Sequence, residues 1–159
     1  MIRAATDKDA EAIAALWTEA YFIEGEGGRD TPYARSDFEQ TQAAAHLLVA
    51  ELDGAAVGVV ALLAPGEPSR AVALEGEAEL ARLVVGSTAR RHGIGRALAN
   101  SCTELARGEG WLAISLWSRP YQRAGHHLYE SLGYRRQPER DSTDETGFDR
   151  LVFRLELEG

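Results

Sequence analysis

The sequence has little of several features that tie a protein to a particular environment. It contains one cysteine, Cys102, in 159 residues, which excludes an intramolecular disulfide and favours a reducing compartment. No apolar run approaches the ~20 residues of a membrane-spanning helix, and the first residues lack the apolar core of a signal peptide. The sequence therefore predicts a cytoplasmic protein that does not bind membranes.

Positive charge is also scarce relative to negative charge. Twenty-five acidic and 17 basic residues give a net charge of −8, which argues against nucleic-acid binding because that needs a cationic surface. An acidic protein suits a cationic acceptor such as a polyamine, but excess negative charge also keeps proteins soluble. The acidic segments 24–30 and 139–145 are open to the same two interpretations.

What the sequence does contain is the periodicity of one α/β domain spanning residues 1–159. Apolar spacing predicts the order βααβββαβαββ, with a strand–helix–strand crossover near the centre. Thr6 with Asp9 and Ser36 with Glu39 resemble capping boxes at two helix starts, and Asp53-Gly54 predicts a tight hairpin turn. A further strand is expected over about residues 72–85, with an interruption at Gly76 as an alternative. Residues 139–147 are expected to form a polar acidic loop.

The most informative stretch is a strand at 79–85 followed by a basic glycine turn and a helix from about residue 93. Amides at a helix start and the helix dipole both favour a bound anion. Gly93 and Gly95 would let the backbone approach phosphate oxygens, and Arg90, Arg91 and Arg96 add positive charge.

This turn does not match the common nucleotide-binding signatures. The third glycine and the following acidic residue of the dinucleotide fingerprint are absent, and no Gly-Lys-Ser/Thr follows the turn as it does in a P-loop. By spacing alone, a solvated basic helix cap explains the pattern as well as a phosphate site does.

Three motifs in order resemble the GCN5-related N-acetyltransferase (GNAT) family. Arg90-x-x-Gly93-x-Gly95 is similar to the Arg/Gln-x-x-Gly-x-Gly/Ala motif with which that family holds the pyrophosphate of acetyl-CoA. The other two are the opening Ile2-Arg3-x-Ala5-Thr6-x-x-Asp9-x-x-x-Ile13, and Ala124 with the late Leu128-Tyr129-Glu130-x-Leu132-Gly133-Tyr134.

The resemblance implies a fold and a cofactor site. The fold is a single-domain mixed central sheet flanked by helices, in which parallel strands 79–85 and 111–117 splay apart to form the acyl-CoA cleft. Pantetheine would pair with backbone at residues 83–85, and no metal is expected, since the chain lacks clustered ligand spacing. The implied cofactor-binding residues are Leu83, Val84, Val85, Arg90, Arg91, His92, Gly93, Ile94, Gly95, Arg96 and Gln122, the last standing where many members have asparagine.

Acetyl transfer from a thioester to an amine needs two proton movements. An amine with a pKa near ~10 must lose a proton, and a departing thiolate whose thiol has a pKa of ~8.5 must gain one. Tyr129 matches the family's late tyrosine and is the candidate acid; otherwise it is a core tyrosine. Glu79 matches the strand glutamate that histone-acetylating members use as base, and its alternatives are a surface acid or a water relay.

Other reactive side chains have simpler explanations. His126 and His127 are possible acids or bases, although packing of one and solvation of the other explain them more simply. Cys102 lies on the buried stripe of a helix and is interpreted as a small core residue. Trp117 and Tyr121 would line an acceptor pocket or only pack.

The sequence predicts an acetyl-CoA-dependent N-acetyltransferase that acts on a primary amine by direct transfer in a ternary complex. Its acceptor would be a small molecule or a peptide, and the chain would be a monomer or homodimer. Because fold does not determine function, a non-catalytic acyl-CoA-binding or sensing module is the alternative, and an unrelated nucleotide-phosphate binder comes third.

Overall fold

The computed structural model describes residues 1–23 and 31–157. The acidic segment 24–30, with the glycines Gly25, Gly27 and Gly28 that predict a break, lies outside the described residues. The helices are α1 (Ala10–Thr18), α2 (Arg35–Ala44), α3 (Ile94–Gly108) and α4 (Arg123–Ser131). The strands are β1 (Ile2–Ala4), β2 (His46–Leu52), β3 (Ala55–Leu63), β4 (Glu77–Val85), β5 (Ala113–Ser118), β6 (Arg135–Arg136), β7 (Ser142–Thr143) and β8 (Asp149–Glu156).

The chain has an α/β fold with a mixed sheet flanked by helices, as predicted, and the observed order adds only the short strand β7. Two compact units share β4 and α3. One comprises Met1–Leu62 and Arg82–Ser101, and the other comprises Leu63–Ala81 and Cys102–Gly159.

The first unit contains the antiparallel strands β1, β2 and β3. The predicted hairpin is present: Leu52 pairs with Ala55, and Asp53 and Gly54 both have positive φ, at 52° and 80°, as a type I′ turn requires. The core of this unit is apolar and fully buried, and its large side chains include Ile13, Trp17, Phe38, Val49 and Val59.

Two helix starts show how local sequence sets local structure. The predicted capping box at the first start is confirmed, because the Asp9 carboxylate accepts the Thr6 amide at 2.8 Å. The capping box predicted for α2 at Ser36 and Glu39 is wrong. The helix begins at Arg35, and the Asp37 carboxylate accepts the amide of Ala34 at 2.8 Å. An acid at the third helical position satisfies the cap amide even when the cap residue has no hydroxyl.

The second unit combines the parallel pair β4–β5 with the antiparallel pairs β5–β8, β6–β8 and β7–β8. The parallel pair confirms the predicted crossover. The predicted strand 72–85 begins only at Glu77. Gly76 has φ of +81°, and the amides just before it bind a side chain instead of a neighbouring strand. The large buried side chains of this unit include Ile114, Leu116 and Phe153.

None of the helices in the described part of the chain has both the length and the apolar character needed to cross a bilayer.

Candidate active site

The first part of the candidate site is the turn that joins β4 to α3. Arg91 and Gly93 have positive φ, at 70° and 74°, so the chain reverses there before the helix begins at Ile94. The Ala97 amide binds the Gly93 carbonyl at 3.0 Å, whereas the first helical amides have no acceptor within a helix. The turn therefore directs backbone donors and the positive end of the helix dipole to one place.

The side chains of this turn face solvent. Arg90, Arg91, His92 and Arg96 are all exposed, and Arg90 Nε donates to the Val85 carbonyl at 3.3 Å. Within this turn, positive side chains thus surround a helix start, which is a favourable arrangement for phosphate oxygens.

Glycines on neighbouring segments fix the position of this helix start. A Cβ added at Gly58 on β3 would lie 3.0 Å from side-chain atoms of Ile94 and Leu98, so a larger residue there would have to displace these two side chains of α3. Gly86, just after β4, donates its amide to the Val57 carbonyl at 2.8 Å. The next residue, Ser87, is held by the Glu19 carboxylate through its amide at 3.0 Å and its hydroxyl at 3.1 Å.

Strands β4 and β5 pair over a short length only. Their register runs from Glu77 opposite Ala113 to Glu79 opposite Ser115. Both strands continue beyond these residues, but within the described chain their pairing ends there. Beyond Glu79, the β4 backbone therefore has hydrogen-bonding capacity that β5 does not use. The predicted pantetheine-pairing residues 83–85 lie at the end of β4, with Val84 buried and its two neighbours half-buried.

Glu79 is 2% exposed, and its carboxylate binds the loop that precedes β4. It accepts the amides of Ala71 at 2.9 Å, Val72 at 2.7 Å and Ala73 at 2.8 Å. The carboxylate is therefore not a surface acid, which was one of the alternatives considered from the sequence. These contacts give Glu79 a clear structural function as the acceptor for three amides.

A buried ionic cluster around Glu77 was missed by the sequence reasoning. The Glu77 carboxylate accepts hydrogen bonds from Ser115 Oγ at 2.6 Å, Arg154 Nε at 2.8 Å, Arg140 Nη2 at 3.0 Å and the Leu74 amide at 3.0 Å. Burial alone would raise the pKa of this carboxyl, but these hydrogen bonds outweigh it and lower the pKa to about 2. The only signal in the sequence is that Glu77 and Glu79 are two residues apart on one strand, so that both carboxylates lie on the same face.

Tyr129 lies on α4 and is half-buried. Its ring centroid is 5.7 Å from that of Tyr134 and 6.0 Å from that of Phe153. Burial, with a smaller contribution from Cys102, raises the pKa of Tyr129 to about 12. The phenol therefore stays protonated at neutral pH and can act as a proton donor. Cys102 itself is fully buried, and burial raises the pKa of its thiol to about 12, in accord with a core residue.

The other polar candidates on α4 make contacts that organise its start. Gln122 Oε1 accepts the Ser118 hydroxyl at 2.9 Å and the Arg119 amide at 2.8 Å. His126 Nε2 lies 3.1 Å from Ser118 Oγ and 2.9 Å from the Arg119 carbonyl, while His127 is exposed. Gln122 and His126 thus have partners within the protein.

The acidic segment 139–145 is more structured than a solvated loop. Asp141 pairs with Arg136 at 2.8 Å, and Asp144 pairs with the largely buried Arg119 at 3.0 Å. The guanidinium of Arg119 also lies 4.7 Å from the ring centroid of Trp117. These two carboxylates are neutralised internally, which weakens the case for this segment as a cation attractor. Tyr121, the other suggested pocket residue, is 52% exposed.

The candidates divide between the two units. Leu83, Val84 and Val85 and the turn 90–96 belong to the first unit, whereas Glu79, Gln122 and Tyr129 belong to the second. Among the described residues, no three His, Cys, Asp or Glu side chains are grouped as they would be to hold a metal ion.

Several known proteins resemble this chain in sequence. The family model for the acetyltransferase (GNAT) family matches residues 10–134. N-acetylaspartate synthetase of Rattus norvegicus is 39% identical over 87 residues, which are 55% of this chain and 27% of that protein. The enzyme of the same name from Danio rerio is 34% identical over 112 residues, or 67% of this chain and 37% of that protein. The chain thus spans about a quarter to two fifths of the curated relatives it first matches.

Solved structures share the fold over almost the whole chain. Ribosomal-protein-alanine N-acetyltransferase from Brucella melitensis has a TM-score of 0.82 at 24% identity and covers 99% of both chains. A putative acetyltransferase from Salmonella typhimurium, solved with its cofactor acetyl-CoA, has a TM-score of 0.77 at 20% identity and covers 100% of this chain and 94% of that one. The match of the family model over most of the chain, on a fold that these structures share, shows that this protein belongs to the GNAT family of acetyltransferases.

Proposed function

We propose that this protein transfers an acetyl group from acetyl-CoA to a primary amine, directly and within a ternary complex. The observation that carries the proposal is the turn between β4 and α3, where positive φ at Arg91 and Gly93 leads into a helix start ringed by exposed arginines. The similarity of Arg90-x-x-Gly93-x-Gly95 to the family's motif supports the pyrophosphate of acetyl-CoA as the ligand of this turn.

The cofactor would use two features of the first unit. Its phosphates would bind the turn of residues 90–96 through amides and guanidinium groups. Its pantetheine arm would add to β4 at residues 83–85, as an extra strand adds to an unpaired sheet edge. Gln122 is the weakest member of the proposed cofactor site, since its side-chain oxygen already accepts two hydrogen bonds.

The proposed reaction needs no covalent enzyme intermediate. The amine nitrogen attacks the thioester carbonyl carbon, the carbon–sulfur bond breaks, the amine loses a proton and the coenzyme thiolate gains one. Tyr129 would supply the proton to sulfur, because its phenol is protonated at neutral pH. A backbone amide of β4 near Leu83 would stabilise the carbonyl oxygen as negative charge develops.

The base that accepts the amine proton is Glu79 or a water molecule. The contacts of Glu79 favour water, since three backbone amides already donate to its carboxylate. If Glu79 is the base, those amides must tolerate a protonated carboxyl during each turnover.

The acceptor is proposed only as a primary amine on a small molecule or peptide. The names of the relatives cover both kinds, since one is an N-acetylaspartate synthetase and a structural neighbour is a ribosomal-protein-alanine N-acetyltransferase. The cytoplasmic location and the choice between monomer and homodimer stay predictions.

The alternative function is a non-catalytic acyl-CoA-binding module on the same fold. The observation that favours it is that the Glu79 carboxylate already accepts three backbone amides. In a non-catalytic module, Glu79 would only anchor the loop 71–73. Replacing Tyr129 by Phe separates the two: CoA binding is retained in both cases, but only an enzyme loses turnover.

The first experiment is a thermal shift with acetyl-CoA, CoA, NAD and ATP in parallel, followed by an amine screen that detects thiol release. A ligand that binds only the native state raises its midpoint. We expect stabilisation by acetyl-CoA and CoA alone. A larger effect of NAD or ATP would overturn the assignment of the turn, and CoA binding without release of thiol to any amine would favour the non-catalytic module.

A further inference from the structure

Arg82 has an unusual backbone conformation for its position in β4. Its φ is +52°, in the left-handed region that costs a non-glycine residue roughly 1–2 kcal/mol. The side chain is exposed, while Val84, two residues along the same strand, is buried. Strain of this kind persists only where surrounding contacts maintain it, and it is concentrated at functional sites.

Three side chains of the first unit hold the Arg82 guanidinium in place. Its central carbon lies 4.9 Å from the ring centroid of Trp17 and 5.4 Å from that of Tyr33. The two rings are themselves 5.8 Å apart and tilted by 57°. Arg82 Nη1 also donates to Thr41 Oγ1 at 3.3 Å. Cation–π contacts and one neutral hydrogen bond therefore orient the guanidinium without neutralising it.

This guanidinium has no carboxylate partner in residues 1–23 and 31–157. By contrast, Arg3, Arg119, Arg136 and Arg140 each form an ion pair. A guanidinium offers five N–H donors, and only one of those of Arg82 donates to Thr41. The site therefore retains both charge and hydrogen-bonding capacity for an anionic group.

A second observation concerns Trp17, against which Arg82 lies. Its indole Nε1–H is buried and lacks a hydrogen-bond partner within the described part of the chain, and such groups are rare enough to require an explanation. The ring that the Arg82 guanidinium contacts thus also carries an unsatisfied donor. Among the described residues, the Arg82 guanidinium lacks a carboxylate partner and the Trp17 indole lacks an acceptor.

We infer that Arg82 binds a carboxylate of the acceptor, so that the acceptor is an amine that also carries a carboxylate, as an α-amino acid does. This rests on the proposed function. The planar fork of arginine matches a carboxylate, and Arg82 directly precedes the backbone 83–85 proposed for pantetheine. In an α-amino acid two bonds separate the carboxyl carbon from the amine nitrogen, so the amine lies close to a carboxylate held by the Arg82 guanidinium. At a net charge of −8, the protein surface as a whole does not attract anions, which makes a local cation necessary.

The test compares α-amino acids with their amides as acceptors, using the wild type, Arg82→Met and Arg82→Lys. Wild type should prefer the carboxylate form. Arg82→Met should raise KM for the carboxylate form about 10²-fold while changing the amide little, since charged hydrogen bonds contribute about 1.5–3 kcal/mol. Arg82→Lys should recover part of the loss, because lysine keeps the positive charge but lacks the planar guanidinium that binds a carboxylate through two hydrogen bonds. Arg107→Met, at an exposed position of α3, is the matched control.

Three results would overturn the inference. The first is an equal preference of the wild type for both forms, and the second is an equal loss of kcat/KM for both in Arg82→Met, as a purely structural cation–π role would give. The third is a weaker CoA-induced thermal shift in Arg82→Met, which would assign the residue to the cofactor.

Binding is measured separately through tryptophan fluorescence, which should change with the carboxylate form and not with the amide, and should lose that change in Trp17→Phe. If neither turnover nor this signal depends on the carboxylate, the inference fails while a CoA-specific thermal shift leaves the cofactor part of the proposed function intact.

Discussion

The carboxylate of Glu79 accepts the backbone amide of Val72 at 2.7 Å, seven residues earlier in the chain. With the amides of Ala71 and Ala73 beside it, this contact closes the loop before β4 onto the strand itself. A side chain chosen from the sequence as a possible base thus has a structural task. The two functions predict different consequences of mutation.

Replacing Glu79 by Ala should lower the free energy of unfolding by roughly 2–4 kcal/mol, because three amides lose their acceptor. Urea denaturation measures the loss. The exposed neighbour Glu75 is the matched control, and Glu75→Ala should change stability by less than about 0.5 kcal/mol. Glu79→Gln then tests the base: a variant that folds and keeps the wild-type pH profile of kcat/KM would assign the proton to water.

Glu77 should make stability depend on acid pH. Its pKa is about 2 in the folded protein against an ordinary value of 4.5, so its stabilising effect is complete above pH 4.5 and is lost as the pH falls towards 2. Glu77→Gln should abolish this part of the pH dependence and cost about 3–5 kcal/mol at pH 7, because Arg140 and Arg154 lose their shared counter-ion. Denaturation at several pH values measures both effects. Equal loss in Glu156→Gln, an exposed position on β8, would contradict a specific role for Glu77.

Tyr129→Phe should lower kcat about 10²-fold, in the range of general acid catalysis, without weakening CoA binding. Because the pKa of Tyr129 is about 12, the wild-type enzyme should show no loss of kcat from ionisation of this phenol near pH 10. Stopped-assay detection of free thiol across this pH range checks both statements. A normal kcat in Tyr129→Phe would remove the residue from the mechanism.

Tyr134→Phe is the companion variant. The Tyr134 hydroxyl is buried and lacks a hydrogen-bond partner in the part of the chain that the structure describes. Its removal should leave kcat unchanged and leave stability equal or higher by up to ~1 kcal/mol. Thermal and urea unfolding provide the measurement, and a loss above about 1 kcal/mol would show that the hydroxyl has a favourable partner after all.

Gly93→Ala should weaken CoA binding through the backbone. A Cβ at Gly93 would meet nothing within 4 Å, but the residue has φ of +74°, so alanine costs roughly 1–2 kcal/mol or moves the turn. Gly108→Ala is the matched control, since Gly108 also faces open space without a positive φ and should be neutral or slightly stabilised. Titration of CoA against both variants distinguishes strain in the turn from a general effect of the added methyl group.

Local features were predictable because they depend on neighbouring residues. The hairpin at Asp53-Gly54, the capping box of Thr6 and Asp9, and the crossover around α3 were all predicted and are all present. The start of α2 was predicted wrongly, and of the strand predicted over residues 72–85 only the part after Gly76 is present. In both cases an acidic side chain binds amides, Asp37 that of Ala34 and Glu79 those of residues 71–73, and apolar periodicity does not report on such contacts.

The sequence by itself determined the fold class, the family resemblance and the identity of the basic glycine turn, since these reside in periodicity and in residues a few positions apart. Only the tertiary structure decided which charged groups have partners. Arg154 lies 77 residues from Glu77 in the chain and binds it at 2.8 Å, whereas Arg82 lies against two aromatic rings with no carboxylate among the described residues. A charge is neutralised by what folding brings within a few ångströms of it, and that proximity is a property of the folded chain.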